Sequence, residues 1–167
     1  MTNLFQHSPG NPFHISVGAL LVNEKGEILV HKARAADMDP AYRYKLSGLE
    51  EAYILMRESL ENGETLEQGV ARGLQEEFGV EGNIERYLGS LQFEVEGFEK
   101  TTLFFQVSFV KQGKRLAGDA EGFTELVWME PEALAICMRN QGAQTTRKDL
   151  DESKIVEAYL KYGTHRV

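Results

Sequence analysis

Residues 53–80 of the chain read YILMRESLENGETLEQGVARGLQEEFGV, and this stretch decides the predicted fold. Its first four residues, 53–56, are apolar and predict a strand, whereas the charged residues 57–64 predict a loop. Thr65 is followed three residues later by Gln68, the spacing of a capping box at the start of a helix. The stretch therefore predicts a strand, a loop and a helix in succession.

The predicted helix has one apolar face and otherwise polar faces. Apolar residues recur at every fourth position, namely Leu66, Val70, Leu74 and Phe78. The other faces carry Glu67, Arg72, Glu76 and Glu77. Gly79 predicts the C-terminal end of the helix, because glycine readily adopts the left-handed conformation found there.

The same stretch resembles a Nudix box. That pattern is Gly, five residues, Glu, seven residues, then Arg-Glu-apolar-any-Glu-Glu-any-Gly-apolar. The residues that match without a gap are Glu64, Arg72, Leu74, Glu76, Glu77, Gly79 and Val80. The resemblance spans residues 58–80 and implies the Nudix fold, an α/β/α sandwich with a mixed sheet and flanking helices.

Two positions of the box depart from the family pattern. Glu58 stands where the opening Gly belongs, and Gly73 stands where the Glu after Arg belongs. The usual lead-in, Trp-any-Leu-Pro-Gly-Gly, is replaced by residues 53–58, YILMRE. The box is therefore degenerate.

The resemblance implies a metal-dependent hydrolase that cleaves a diphosphate linkage in a nucleoside diphosphate derivative. Glu76 and Glu77 match metal ligands, and Glu64 and Arg72 match the residues that support the loop and helix. Carboxylates are hard ligands suited to Mg²⁺ or Mn²⁺.

Gly73 leaves two alternatives open. Either Glu58 brings its carboxylate into the space vacated at position 73 and serves as a catalytic metal ligand, or the chain is a catalytically impaired module that binds a nucleotide ligand or a protein partner. Under the second alternative, Gly69 and Gly73 serve close packing within the helix.

Two further residues are candidates for substrate contact or catalysis. Arg57 would suit a substrate phosphate, or it would pair with Glu58, Glu61 or Glu64. Among the later carboxylates (Glu94, Glu96, Asp119, Glu121 and Glu125), Glu121 is the candidate for an additional base, because it lies in a Gly-flanked loop.

Composition and charge limit the partners of the chain. A net charge of −8 argues against a nucleic-acid polymer as partner, because phosphates would be repelled. One cysteine, Cys137, excludes an internal disulfide and fits the cytoplasm. We find neither a signal peptide nor an apolar run of about 18 residues that would cross a membrane. Exposed strand edges would allow a homodimer.

The remaining segments predict one domain over residues 1–167. Predicted strands lie at residues 14–22, 27–31, 83–95, 100–110 and 123–129, and predicted helices at 131–138 and 150–162. Residues 139–147 are predicted to form a loop. Residues 32–51 are polar and mixed, and they predict either a cover for a substrate pocket or a solvated surface loop.

Overall fold

The structure, a computed structural model, is described here for residues 2–115 and 124–163. Its seven strands are β1 (Phe13–Val22), β2 (Ile28–Arg34), β3 (Glu51–Ile54), β4 (Met56–Ser59), β5 (Val80–Val95), β6 (Phe98–Gln112) and β7 (Thr124–Met129). Its α-helices are α1 (Leu66–Gly73), α2 (Pro131–Gln144) and α3 (Ser153–Ala158). Turns of π-helix extend α1 over Leu74–Phe78 and α3 over Tyr159–Gly163.

All seven strands join one mixed sheet with helices on both faces, as the predicted fold class requires. β1 pairs in parallel with β6, and the other pairings are antiparallel. The paired residues of β1 and β2 are only Leu21 with Leu29 and Val22 with Ile28, so the two strands diverge beyond these pairs. Residues 51–59 fill the space that opens between them.

The segment that fills this space changes its pairing partner at Leu55. β3 pairs with β2, and β4 pairs with the first half of β1. The backbone N–H of Leu55 lies between the two strands and donates a 2.8 Å hydrogen bond to the buried carboxylate of Glu152. Gln141 of α2 bonds the N–H and C=O of Tyr53 at 2.6 and 3.1 Å. Side chains from the C-terminal segments thus satisfy backbone groups at the point where the sheet splits.

Met56, the first residue of β4, and Leu55, the residue before it, enter different cores. Met56 packs with Val70, Leu74 and Phe78 under α1, whereas Leu55 packs with the core residues of α2 and α3. Because side chains alternate along a strand, Glu58 lies on the α1 face and Arg57 on the opposite face. This alternation decides the surroundings of both candidate residues.

Two sequence predictions of local structure need correction. Arg57 and Glu58 belong to β4 rather than to a loop. α2 continues to Gln144, so most of the loop predicted for residues 139–147 is helical. Residues 35–46 form two short 3₁₀ turns, and Met38, Leu46 and nearby Leu49 build a small core with Ala52.

Within the described residues, no helix is long and apolar enough to span a membrane.

Candidate active site

The helix of the box begins as its sequence predicts. Thr65 Oγ1 accepts a 3.1 Å hydrogen bond from the N–H of Gln68, and Gln68 Oε1 accepts a 2.9 Å bond from the N–H of Thr65. Val70, Leu74 and Phe78 of the predicted apolar face are buried, but Leu66 is 41% exposed. Leu66 is the first residue of the helix.

The end of this helix widens where Glu76 and Glu77 lie. Residues Leu74–Phe78 form a π-helical turn, a feature that is frequent at functional sites. The turn ends at Gly79, which adopts the left-handed conformation with φ 67°. A side chain there would collide with the backbone of Lys114 and Arg115, so glycine is required by both conformation and space.

Arg72 is the centre of an acidic cluster, which we define as Arg72 with Glu58, Glu61, Glu64 and Glu76. Its Nε and Nη2 donate to the two carboxylate oxygens of Glu64 at 2.7 and 3.0 Å, and its Nη2 also donates to the Ser59 carbonyl at 2.8 Å. Its Nη1 lies 3.5, 3.7 and 3.4 Å from carboxylate oxygens of Glu58, Glu61 and Glu76.

The pair of Arg72 and Glu64 holds the loop against the helix. Hydrogen bonding to Arg72 lowers the pKa of Glu64, and the bond to Glu64 raises the pKa of Arg72. Glu64 also accepts a hydrogen bond from the N–H of Glu61, which closes the loop before Thr65. These contacts correspond to the supporting role expected of both residues.

Glu58 and Gly73 are direct neighbours. A Cβ placed on Gly73 would lie 3.0 Å from the Cβ of Glu58 and 2.8 Å from the Sδ of Met56. The two positions at which the box departs from the family pattern therefore meet across the interface between β4 and α1.

The Glu58 carboxyl lies among other carboxylates. Burial raises its pKa to about 7, Arg72 opposes that rise, and the charges of Glu77 and Glu76 and a hydrogen bond with Glu76 add to it. The charge of Arg72 offsets only part of this rise in the pKa of Glu58. Such a group of carboxylates has the chemistry to attract a hard cation.

Glu77 has a partner that sequence analysis did not single out. His31 Nε2 lies 3.3 Å from Glu77 Oε2, and the His31 side chain is largely buried in β2 beside Phe78. Arg115 Nε donates a 2.7 Å hydrogen bond to the Glu77 carbonyl. The four histidines are scattered in the sequence, and only the pairing of strands brings His31 to the helix end.

Arg57 does not join the acidic cluster. Its Nη1 lies 3.7 Å from Asp149 Oδ2, and its Nε lies 3.4 Å from Glu152 Oε2. It therefore forms ion pairs as one alternative predicted, but with partners near the C-terminus and on the opposite face of β4. These partners lie 92 and 95 residues away in sequence, and no local pattern indicates them.

The remaining predicted base, Glu121, lies outside the described residues. Glu125 pairs with Lys32 and Arg34 on neighbouring β2. Across residues 2–115 and 124–163, no three His, Cys, Asp or Glu side chains are already gathered to hold a metal ion. Glu76 instead contacts Arg72, and Glu77 contacts His31.

Comparison with known proteins decides the family. The NUDIX domain family matches residues 12–150, which is most of the chain and includes the whole box. The chain belongs to the Nudix family. Membership supports a Nudix-type hydrolase in general terms.

Solved structures share the Nudix fold of this chain. The E. coli ORF135 protein is 23% identical with a TM-score of 0.61, and the comparison covers 91% of each chain. A NUDIX hydrolase from Nitrosomonas europaea is 17% identical, with a TM-score of 0.64 and 88% coverage of both chains. The MutT protein from Methanosarcina mazei Go1 is 20% identical, with a TM-score of 0.62 and coverage of 95% of this chain and 100% of the other. No curated protein matches the chain significantly.

Proposed function

We propose that this chain is a metal-dependent hydrolase that cleaves a diphosphate linkage in a nucleoside diphosphate derivative. The observation that carries the proposal is the placement of Glu76 and Glu77 at the end of the box helix, with the carboxylates of Glu58 and Glu76 at 3.5 and 3.4 Å from Arg72 Nη1. The donor set fits Mg²⁺ or Mn²⁺ in kind, because both ions prefer carboxylate oxygens.

In this proposal Glu76 and Glu77 hold the ion, and the Arg72–Glu64 pair fixes the loop. A bound divalent ion would neutralise phosphate oxygens and activate water for attack on phosphorus. To reach the ion, the Glu76 carboxylate exchanges its contact with Arg72, and the Glu77 carboxylate exchanges its contact with His31. His31 and the Arg115 bond to the Glu77 carbonyl position Glu77 at the helix end.

The test is hydrolysis of a substrate panel with Mg²⁺ or Mn²⁺. The panel contains ADP-ribose, nucleotide sugars, dinucleoside polyphosphates and nucleoside triphosphates. We expect turnover of at least one class, and a loss of about a hundredfold or more in Glu77→Gln. The matched control is Glu67→Gln, which removes a carboxylate charge from an exposed position of the same helix and should leave the rate unchanged.

A second candidate function is a nucleotide-binding module without efficient catalysis. The observation that favours it is Gly73, which places no side chain at a position that normally carries a carboxylate. In that case the panel would show no turnover with either ion, while a ligand would still raise the melting temperature. Equal rates in the wild type and Glu77→Gln would also contradict the hydrolase proposal.

Four broader predictions accompany the proposed activity. Residues 1–167 form one domain, the protein acts in the cytoplasm on a small molecule, and exposed strand edges allow a homodimer. The substrate prediction follows from family membership. The single cysteine is the basis of the cytoplasmic prediction.

A further inference from the structure

Positions 58 and 73 share one space between β4 and α1. A Cβ on Gly73 would lie 3.0 Å from Glu58 Cβ, 2.8 Å from Met56 Sδ and 3.0 Å from Met56 Cε. Real Cβ atoms essentially never show contacts below 3.0 Å, so the contact with Met56 Sδ requires that flexible side chain to shift, and the two contacts at 3.0 Å are unusually tight. Side chains at both positions would therefore overlap unless Met56 and Glu58 moved.

The Glu58 side chain fills this space, and its carboxylate lies near Arg72 of the box. Glu58 Oε1 lies 3.5 Å from Arg72 Nη1, and Glu76 Oε2 lies 3.4 Å from the same nitrogen. The Glu58 side chain is partly buried, with 20% of its surface exposed. Glu58 thus reaches the residues that flank position 73 on the helix, although it starts from a strand.

The neighbouring glycine of the same helix has different surroundings. A Cβ on Gly69 would meet Leu60 Cδ2 at 2.7 Å, Glu64 Oε1 at 3.0 Å and Val17 Cγ2 at 3.2 Å. Gly69 therefore permits close packing of an apolar side chain and of the loop carboxylate. Close packing alone accounts for Gly69. Gly73, in contrast, leaves room for Glu58, an acidic residue at a position where the family pattern has Gly.

We propose that Glu58 and Gly73 are a reciprocal exchange in which a metal-binding carboxylate has moved from the helix to strand β4. The inference rests on the proposed function, because it assigns the third carboxylate of the same site. The ligand is a divalent cation of the Mg²⁺ or Mn²⁺ class. The site would then be held by two helix residues, Glu76 and Glu77, and one strand residue.

The first part of the test is direct Mn²⁺ binding, measured by electron paramagnetic resonance of free Mn²⁺. Glu58→Gln keeps the size of the side chain and should weaken Mn²⁺ binding by about tenfold or more. Glu67→Gln is the control, because Glu67 is exposed on α1 and lies outside the acidic cluster, and this variant should bind Mn²⁺ as the wild type does. Unchanged affinity in Glu58→Gln would overturn the exchange.

The second part reverses the exchange. Gly73→Glu alone should lower the melting temperature because of its overlap with Glu58 and Met56, and Glu58→Gly alone should lose Mn²⁺ affinity. The double variant Glu58→Gly/Gly73→Glu restores the family pattern, and its Mn²⁺ affinity should return to within about threefold of the wild type. A folded double variant that binds no better than Glu58→Gly would contradict the proposal.

Mn²⁺ binding distinguishes failure of the exchange from failure of the proposed metal site. If Glu77→Gln loses Mn²⁺ and Glu58→Gln retains it, the exchange is wrong and the proposed metal site stands. If neither variant changes Mn²⁺ affinity, the proposed metal site itself is wrong. Circular dichroism of each variant separates loss of binding from loss of folding.

Discussion

Two charged clusters lie on opposite faces of β4 and differ in burial and in charge balance. On the α1 face, the acidic cluster sets four carboxylates around the single guanidinium of Arg72. On the other face, which we call the C-terminal ion cluster, Arg57, Arg147 and Lys100 lie near Asp149 and Glu152.

In the C-terminal ion cluster, cationic side chains face both buried carboxylates, although burial still raises the pKa of Glu152. Asp149 and Glu152 are each 1% exposed in their side chains. Burial alone would raise the pKa of Asp149, but the bond from Arg147 and the charges of Arg57, Arg147 and Lys100 hold it below its ordinary value. Arg57 and burial together lower the pKa of Lys100 to about 8. Each carboxylate has a cationic partner, so this cluster secures the C-terminal segments to β4.

The acidic cluster is more open and carries an excess of negative charge. Glu61 and Glu76 expose 61% and 46% of their side chains, and carboxylates outnumber cations. Repulsion among uncompensated carboxylates destabilises the folded state when no cation is bound. The same repulsion favours the binding of a cation. Arg57 and Glu58 are neighbours on one strand, but the alternation of side chains places them on different faces. They therefore have different roles.

The largest stability effect is expected in the C-terminal ion cluster. Glu152→Ala would remove one of the two carboxylate partners of Arg57 and the acceptor of the Leu55 N–H, at a cost of about 3–5 kcal/mol in the free energy of unfolding. Urea denaturation measures this change. The control is Glu157→Ala, which breaks the exposed pair with Arg139 and should cost less than about 1 kcal/mol. Equal effects of the two variants would show that the buried pair is not structural.

A smaller effect is expected at the packing contact under the acidic cluster. Gly69→Ala gains about 1 kcal/mol of helix propensity but overlaps Leu60 and Glu64, so we expect a net loss of about 1–2 kcal/mol. Thermal unfolding measures it, and Gly10→Ala is the control because a Cβ there meets nothing within 4 Å. A more stable Gly69→Ala protein would mean that Leu60 moves freely, and the loop would not be held as tightly as described.

The last effect, which is no larger than that of Gly69→Ala, is a pH dependence that belongs to the acidic cluster. The folded-state pKa of Glu58 is raised from 4.5 to about 7, so the folded state binds its proton more tightly than the unfolded state. Its contribution to stability is therefore full below pH 4.5 and is lost as the pH rises through about 7. After screening by solvent, we expect a difference of about 1–2 kcal/mol.

This pH dependence is measured as the free energy of unfolding of the wild type against that of Glu58→Gln, in metal-free buffer between pH 4.5 and 8. The difference between the two proteins should shift in favour of Glu58→Gln as the pH rises. A constant difference would show that Glu58 is not crowded by Glu76 and Glu77. His14 titrates in both proteins and cancels in the comparison.

The box could be predicted from sequence because its determinants are local. Thr65 and Gln68 bond to each other within one turn, and Gly79 ends the helix through its own backbone conformation. The family match over residues 12–150 confirmed the family that this spacing indicates. Residues that form local hydrogen bonds at a fixed spacing can be recognised in the sequence without knowledge of how distant segments pack.

The incorrect predictions of local structure concern residues whose conformation depends on contacts with distant segments of the chain. β4 has only four residues, and its strand conformation depends on pairing with β1 rather than on its charged sequence. α2 extends beyond its predicted end because Gln141 bonds Tyr53 and Leu150 and because Gly142 packs closely against Asp151. The roles of Arg57 and His31 likewise depend on partners that only the assembled sheet supplies.

The most direct test of this account is Mn²⁺ binding to the wild type, to Glu76→Gln/Glu77→Gln and to Arg57→Lys, which alters the other cluster. We expect one saturable Mn²⁺ site in the wild type, loss of that site in the double variant, and wild-type Mn²⁺ affinity in folded Arg57→Lys. Equal Mn²⁺ binding by the wild type and the double variant would contradict the assignment of the acidic cluster as the functional face of β4.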